Sequence, residues 1–557
     1  MPDVLLIQPP IRDFYRTAKR TIPYGLGLIA DSLLQDGISA EILDALATRK
    51  IRTLPTPPEF DPVAPFYEKA DRSPFGLFHG YRHYGYAFSH IEALARRSGA
   101  FLVGISSLFT PYWEEAEETS RAVRRALPNA WIVAGGHHPT ALPEAVLASE
   151  AVDFIIRGEG EAALPALVRA LQRGESPEHV PGIGFRKGEG TFFIREPAAM
   201  GQPRGLTSEG LGRIRADAYR RSGRGSAVIV ASRGCPMSCG YCAIGGSGIP
   251  YRRRSVDSVL AEIAVAMDRA DARFIDFEDE NLSLDREWFT SLLDGIRREF
   301  GPRRLELRAM NGLYAPTLDG PALDAMAEAG FTALNLSLCT TNREVLRRFR
   351  RPDSREAVDR ALRLGRERGL EAVTYLLAGA PGQFARDAVA DLLFLAERPT
   401  LAGVSIFYPA PGSREYRRAE AADLLPKRVS AMRSAALPIS DTTTRLESVT
   451  ILRLGRILNF LKHLENRTIS LDRVEPAGPG DQIDPQDREI AGIRLAAAFL
   501  RQGRILGLSP DGAVYPHRVD PALSEAFRRG LRARTLAAPA ERGFPSHVES
   551  GAFGKAE

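Results

Sequence analysis

At 557 residues the chain exceeds what one hydrophobic core normally serves, so two or three domains are expected. Its apolar share of 44% is that of a soluble globular protein, and its 74 Lys plus Arg against 69 Asp plus Glu are spread along the chain, which excludes the basic stripe of a nucleic-acid binder. No uncharged apolar run reaches the ~18 residues of a spanning helix, and no basic region leads into an apolar stretch at the N-terminus, so neither a membrane span nor a signal peptide is expected.

In chain order, the first part alternates short apolar runs with helical patterns. Strands are predicted at residues 4–8, 40–43, 102–106, 131–134 and 153–156, and helices at 25–35, 89–97, 112–127, 143–149 and 162–173. This strict alternation predicts a doubly wound, Rossmann-like α/β domain over residues 1–175. Residues 53–66 are rich in proline and read as an inserted loop. From 176 to 226 the pattern weakens into glycine- and proline-containing segments, read as a linker. A second series follows at 227–232, 274–277, 305–309, 333–338, 372–377 and 403–408, each strand followed by a helical stretch. Six such units predict a parallel barrel or partial (β/α)6 barrel over 227–426, with its reactive groups at the C-terminal strand ends. From 427 to 557 the strands stop. An amphipathic helix at 449–464 carries Val449, Leu452, Ile457, Phe460 and Leu461 near one face, a second helix is read at 489–506, and the last twenty or so residues read as a loose tail.

The chain has four cysteines, and Cys235, Cys239 and Cys242 fall within eight residues straight after the first strand of the second series. That excludes a disulfide framework and points to a reducing, cytoplasmic compartment where clustered thiols hold metal. An iron-sulfur cube usually takes four thiolates, so three leave one iron open to a bidentate ligand. Gly234 and Gly240 let the backbone wrap closely around such a cube. A structural zinc site needs a fourth ligand, and the candidates, His179 and Cys339, are remote in sequence. A cluster used only for electron transfer is the other reading. Cys339 reads as a core thiol.

The spacing Cys-x3-Cys-x2-Cys, with the aromatic Tyr241 before the last cysteine, resembles the radical S-adenosylmethionine superfamily over roughly residues 226–418. That resemblance implies a [4Fe-4S] cluster on Cys235, Cys239 and Cys242, and S-adenosylmethionine bound through its amino and carboxylate groups at the open iron. It places the methionine ammonium at the second strand's end, Phe277-Glu-Asp-Glu-Asn281, with Glu278 and Asp279 as receivers. Against this stands an acidic strand end that caps the next helix. It further implies Asn335 and Ser337 near the ribose, and Leu377 and Gly379 along the adenine. Gly379 serves a tight turn equally well. Residues 408–413, Tyr-Pro-Ala-Pro-Gly-Ser, resemble a turn of cobalamin-type members.

In the first domain three loops fall at predicted strand ends, where such sheets bind ligands. They hold Ser106, Leu108 and Thr110; Gly135, Gly136 and His137; and Gly158 and Glu159. With Tyr24 to Gly27 opening the first helix, they resemble the cobalamin-binding domain fused to many radical S-adenosylmethionine enzymes. Members that ligate cobalt through histidine carry one after the first strand, whereas this chain reads Pro9-Pro-Ile-Arg-Asp13. His137 and His138 follow the fourth strand, where turn or hydrogen-bonding roles are expected. A domain of this fold that binds no cobalamin is the alternative.

The resemblance implies a radical enzyme that generates a 5′-deoxyadenosyl radical, with cobalamin, and methylates an unactivated carbon of a small-molecule or peptide substrate. It implies an external low-potential reductant of the flavodoxin or ferredoxin type. Two alternatives stay open: a cyclase or rearrangement enzyme without methyl transfer, and a non-catalytic sensor or electron carrier. Arg308, Asn311 and Tyr375 are candidates to face the substrate.

Overall fold

The computed structural model describes residues 1–14, 21–67, 69–77, 80–197, 201–244, 249–433 and 440–535. The five predicted N-terminal strands form at Val4–Gln8, Ala40–Asp44, Leu102–Ser106, Trp131–Gly135 and Phe154–Ile156, all parallel. They read as continuous apolar runs because both faces are covered. Leu5, Ile7, Val103 and Ile105 pack under helices Phe88–Ser98 and Trp113–Ala126, and Val4, Leu6 and Val133 under Tyr24–Gln35 and Gly160–Arg173. Val4–Gln8 is flanked by Ala40–Asp44 on one side and Leu102–Ser106 on the other, so the chain reverses direction across the sheet beside it. The crevice for a ligand opens there.

Residues 176–226 are more than a linker. Ile183–Gly188 and Thr191–Ile194 form a hairpin that runs antiparallel onto Phe154–Ile156 and brings the sheet to seven strands. Some of the glycines that made this stretch look loop-like, Gly182 and Gly184 among them, pass where side chains cannot. A Cβ on Gly182, at φ +68°, would lie 2.2 Å from the Arg157 carbonyl oxygen. Residues 53–66 also differ from the expected loop, since Pro58–Phe66 winds as 3-10 turns. Beside it lies a small antiparallel sheet of Ile11–Asp13, Arg82–Tyr84 and Ile51–Thr53.

All six barrel strands are present, in two parallel groups of three. Arg224–Ile229, Ala272–Phe277 and Glu306–Arg308 form one group; Ala333–Cys339, Glu371–Ala378 and Leu401–Ile406 form the other. Single bridges at Leu307–Phe331 and Leu313–Leu336 join them. Among the described residues no ladder links Leu401–Ile406 back to Arg224–Ile229, so the barrel is partial. The exposed edge is closed by helix Arg445–Asn466. The Asn459 side-chain amide accepts from the Ala402 N–H at 2.8 Å and donates to the Ala402 carbonyl at 2.9 Å, replacing a neighbouring strand. Gly455 lets the helix lie flat, since a Cβ there would sit 2.6 Å from a Val404 methyl. One turn on, the buried Lys462 ammonium donates to the carbonyls of Leu395, Arg398 and Thr400 at 2.6 to 2.7 Å.

The strands do not stop at 427. Leu506–Leu508 pairs with Val514–Pro516, and the second C-terminal helix ends at Gln502, with Gly503 left-handed, rather than at 506. Both strands are three residues long, too short for a period-2 signal. The expected loose tail beyond helix Pro521–Thr535 lies outside the described residues. Among the described residues no helix is long and apolar enough to cross a membrane.

Candidate active site

The cysteine loop is tied down at both ends. Ser232–Arg233 before it pairs antiparallel with Arg252–Arg253 after it. Asp279, at the end of the second strand, accepts from the Ala231 N–H at 3.1 Å and the Ser232 hydroxyl at 2.6 Å. Burial pushes its carboxyl up to about 7, against the lowering effect of those donors. Gly234 has φ +79°, and a Cβ there would meet the Pro250 carbonyl oxygen at 2.6 Å. Gly240 donates to the Phe349 carbonyl and accepts from the Glu415 N–H, docking the loop against the barrel.

Cys239 is buried, while Cys235 and Cys242 are partly exposed. The Arg351 guanidinium reaches the Cys239 sulfur at 3.8 Å, the Tyr241 hydroxyl at 3.0 Å and the Ser337 carbonyl at 2.9 Å, placing positive charge beside a sulfur that is anionic when it ligates metal. Among the described residues no three His, Cys, Asp or Glu side chains converge on a single-ion site, the arrangement a mononuclear zinc needs. Cys339 is a core thiol 1% exposed, pushed by burial up to about 12.

One cavity of about 2100 Å³ runs from the N-terminal strand ends into the barrel. It exceeds the roughly 300–1,000 Å³ of a pocket for one small ligand. Ser106, Leu108, Thr110, Gly135, Gly136, His137, Gly158 and Glu159 all line it, as do Tyr241, Cys242, Glu278, Arg308 and Asn311. Asp279, Asn335, Ser337, Leu377 and Gly379 do not. Asp279 is spent on the cysteine loop. Asn335 is buried and accepts from the Tyr375 hydroxyl at 3.3 Å, and Ser337 offers its carbonyl to Arg351. Leu377, like Tyr241, packs against the buried cluster that holds Cys339, Phe349 and Phe407, and Gly379 turns the chain at φ +76°. Arg308 is neutralised by Asp276, with Nε 3.1 Å from both carboxylate oxygens.

Glu280 is the carboxylate that the sequence reading passed over. It lines the cavity beside Gly234, and its Oε2 is buried without a partner. Burial pushes its pKa up, against the lowering effect of backbone donors and of Arg233. The signal was present in the run Glu278 to Asn281, but two-residue alternation does not continue past Phe277, where the strand ends. The open oxygen fits the ammonium of S-adenosylmethionine.

The cobalamin-type loops also have the required shape. Gly136 has φ +119°, with its Cβ position 2.6 Å from the Ser107 carbonyl oxygen, so the turn admits only glycine without strain. The Thr140 hydroxyl donates to the Gly136 carbonyl at 2.7 Å and accepts from the Gly158 N–H at 2.9 Å, joining two of the loops. The Ser107 hydroxyl is buried and unpartnered nearby. Glu159 is bound to Arg252 and lies 3.2 Å from Arg233, which Glu161 also pairs. These carboxylates therefore hold the ladder that brackets the cysteine loop. Arg433 adds a second tie: it donates to the Pro111 carbonyl and lies 3.2 Å from Glu115, pinning the segment after the barrel to the first loop.

His137 faces the cavity, whereas His138 is a core residue. The His138 ring lies 5.1 Å from that of Trp113, Nδ1 is 3.2 Å from the Thr110 hydroxyl, and burial pushes the pKa down to about 4. An unfolded histidine titrates near ~6.5. Below that value the unfolded chain takes up a proton that the folded one refuses, so stability present above pH ~6.5 is lost as pH falls toward 4. Urea unfolding at pH 7 and pH 5 should show a loss of roughly 2 kcal/mol that disappears in His138→Phe, which keeps the stacking. An equal loss in both proteins would remove His138 as its source.

The description "B12 binding domain" matches residues 81–168, and "Radical SAM superfamily" matches residues 229–395. An uncharacterized methyltransferase of Pyrococcus horikoshii is 23% identical over 61% of this chain and 73% of that protein. The anaerobic magnesium-protoporphyrin IX monomethyl ester cyclase of Synechocystis sp. is 29% identical over 44% of this chain, which spans half of that relative. Among solved structures, the radical S-adenosylmethionine methyltransferase TsrM of Kitasatospora setae, with cobalamin and a [4Fe-4S] cluster bound, superposes with a TM-score of 0.57 at 20% identity over 76% of each chain.

Proposed function

Because the chain is a radical S-adenosylmethionine enzyme that carries a B12-binding domain ahead of its barrel, we propose that it transfers a methyl group to an unactivated carbon of a small-molecule or peptide substrate. The observation that carries this reading is that the loops Ser106 to Thr110, Gly135 to His137 and Gly158 to Glu159 line the same cavity as Cys242 and Glu280. When bound, the reduced cluster supplies the electron that cleaves S-adenosylmethionine, and cobalamin supplies the methyl.

The protein's own residues hold and shield. Cys235, Cys239 and Cys242 would carry the cluster, and Arg351 would balance the charge at Cys239. Glu280 would receive the ammonium of S-adenosylmethionine, with Glu278, held by Asn311 at 3.0 Å, beside it. Leu108 and Phe109, apolar and 39% and 50% exposed, would cover the corrin and keep water from the reacting carbon. The reductant would be a flavodoxin- or ferredoxin-type protein in a reducing compartment, the cytoplasm. The divisions at 226 and 426 are retained in this proposal. The first boundary moves from 175 to the end of the hairpin Ile183–Ile194.

Anaerobically reconstituted protein given S-adenosylmethionine and a reductant should form both 5′-deoxyadenosine and S-adenosylhomocysteine. The cyclase reading, which the likeness to the Synechocystis protein favours, predicts the first product alone, and a sensor forms neither. Glu280→Gln should weaken S-adenosylmethionine binding about tenfold to a hundredfold, the range for a hydrogen bond to a charged group, while iron content stays constant. Anaerobic equilibrium dialysis measures it, and unchanged binding would remove Glu280 from the site.

A further inference from the structure

Helix Arg445–Asn466 does more than close the barrel edge. Leu452, Gly455, Arg456 and Asn459, at positions i, i+3, i+4 and i+7, share one face and line the cavity. Asn459 and Gly455 face the edge strand. Among the described residues, the Arg456 guanidinium makes no hydrogen bond and no ion pair. Arg488, at the start of the next helix, lines the same wall, and its Nε donates only to the Arg72 carbonyl, at 3.2 Å.

The nearest carboxylate cannot neutralise them. Asp71 accepts from His517 at 2.8 Å, from the Ser73 N–H at 2.8 Å and from the Leu508 N–H at 3.1 Å, and it lies 3.6 Å from Arg453, itself buried. One filled carboxylate thus serves the guanidiniums of Arg453, Arg456 and Arg488. Burial, and then repulsion from Arg453, lowers the Arg456 pKa from the ordinary guanidinium value, and the attraction of the shared Asp71 does not offset them. Of the other cavity arginines near the cofactor loops, Arg308 pairs with Asp276, Arg233 with Glu159 and Glu161, and Arg433 with Glu115, while Arg157 donates to the carbonyls of Thr140 and Arg195. Uncompensated charge at a partly desolvated site is costly unless a ligand supplies the counter-charge. A guanidinium binds carboxylate or phosphate through two parallel hydrogen bonds.

We propose that Arg456, assisted by Arg488, anchors an oxyanion, a carboxylate or a phosphate, on the substrate. This rests on reading the cavity as the chamber where the substrate meets both cofactors. The anion holds one end of the substrate at the open side of the barrel, and its reacting carbon lies deeper.

The test uses full-length protein, anaerobically reconstituted with cluster and cobalamin, titrated calorimetrically with inorganic phosphate. Wild type should bind phosphate. Arg456→Gln should bind it at least tenfold more weakly, and Arg456→Lys should fall between the two because it keeps the charge and loses the fork. Arg488→Gln should weaken it by less than Arg456→Gln. Iron content, cobalamin content and near-ultraviolet circular dichroism should match wild type in every variant. No phosphate binding by wild type, or equal affinity in Arg456→Gln and Arg456→Lys and wild type, overturns the proposal. Cobalamin lost from Arg456→Gln also overturns it, since the anion would then be the cofactor's own phosphate. The functional reading fails separately, if wild type forms no 5′-deoxyadenosine, an outcome phosphate binding does not touch.

Discussion

Cys239→Ala is expected to reduce 5′-deoxyadenosine formation to the uncatalysed background, and Cys235→Ala and Cys242→Ala to do the same. Each thiolate would hold a separate iron, and the fourth iron is the one left open for S-adenosylmethionine, so no spare ligand exists to take over. Cys339 is no substitute, because it is buried and its thiol resists ionisation up to about 12. Of the three, Cys239 is the most enclosed, and its loss also leaves the Arg351 guanidinium without the sulfur it faces at 3.8 Å. The assay is product formation with reductant under strict anaerobiosis, alongside iron analysis and the absorption spectrum. Cobalamin uptake should survive, because the three loops that line its end of the cavity lie in the first sheet. Undiminished cleavage in any one of the three variants would sink the cluster assignment.

Asp71→Ala is expected to cost about 3–5 kcal/mol of unfolding free energy, the range for removing one partner of a buried ion pair. Asp71 is 3% exposed and joins parts of the chain far apart in sequence: Ser73 beside it, Arg453 in the long C-terminal helix, and Leu508 and His517 in and just after the C-terminal strand pair. Removing it leaves the Arg453 guanidinium buried with no carboxylate, held only by the Phe66 and Phe75 carbonyls at 3.4 Å. Equilibrium urea unfolding should show the loss as a lower midpoint at an unchanged slope. Asp71→Asn, which preserves shape and some hydrogen bonds, should lose less. A cost below about 1 kcal/mol, the level of a surface pair, would show that Arg453 finds another partner.

Much of this was legible in the sequence where local pattern and three-dimensional role coincide. The eleven strands of the two parallel series sit where their apolar runs placed them, because strands covered on both faces leave an unbroken apolar signature. Three thiols within eight residues declare metal chemistry by spacing alone. The eight residues named for cobalamin all line the cavity because glycine and hydroxyl residues at strand ends are themselves the signal. The barrel residues near S-adenosylmethionine were harder. Asp279 and Glu280 are adjacent carboxylates, and only the turn after Phe277 decides that the first grips Ser232 and the second opens into the cavity. Arg351 and Arg456 were invisible among 74 basic residues, since what distinguishes them is a partner, or the lack of one, contributed from more than a hundred residues away or from none. The hairpin Ile183–Ile194 was hidden by the glycines in and beside it, of which Gly182 and Gly184 sit where a Cβ would clash while Gly188 and Gly190 face open space near its turn.

The carboxylates of Glu159 and Glu161 belong to the start of helix Gly160–Arg173 in the first domain, yet the arginines they hold bracket the cysteines of the barrel. The two cofactor units are therefore not interchangeable modules. A chimera that borrows a B12-type domain from a relative must import carboxylates that meet Arg233 and Arg252 or lose the alignment of one cofactor against the other, and natural recombination between such genes faces the same constraint.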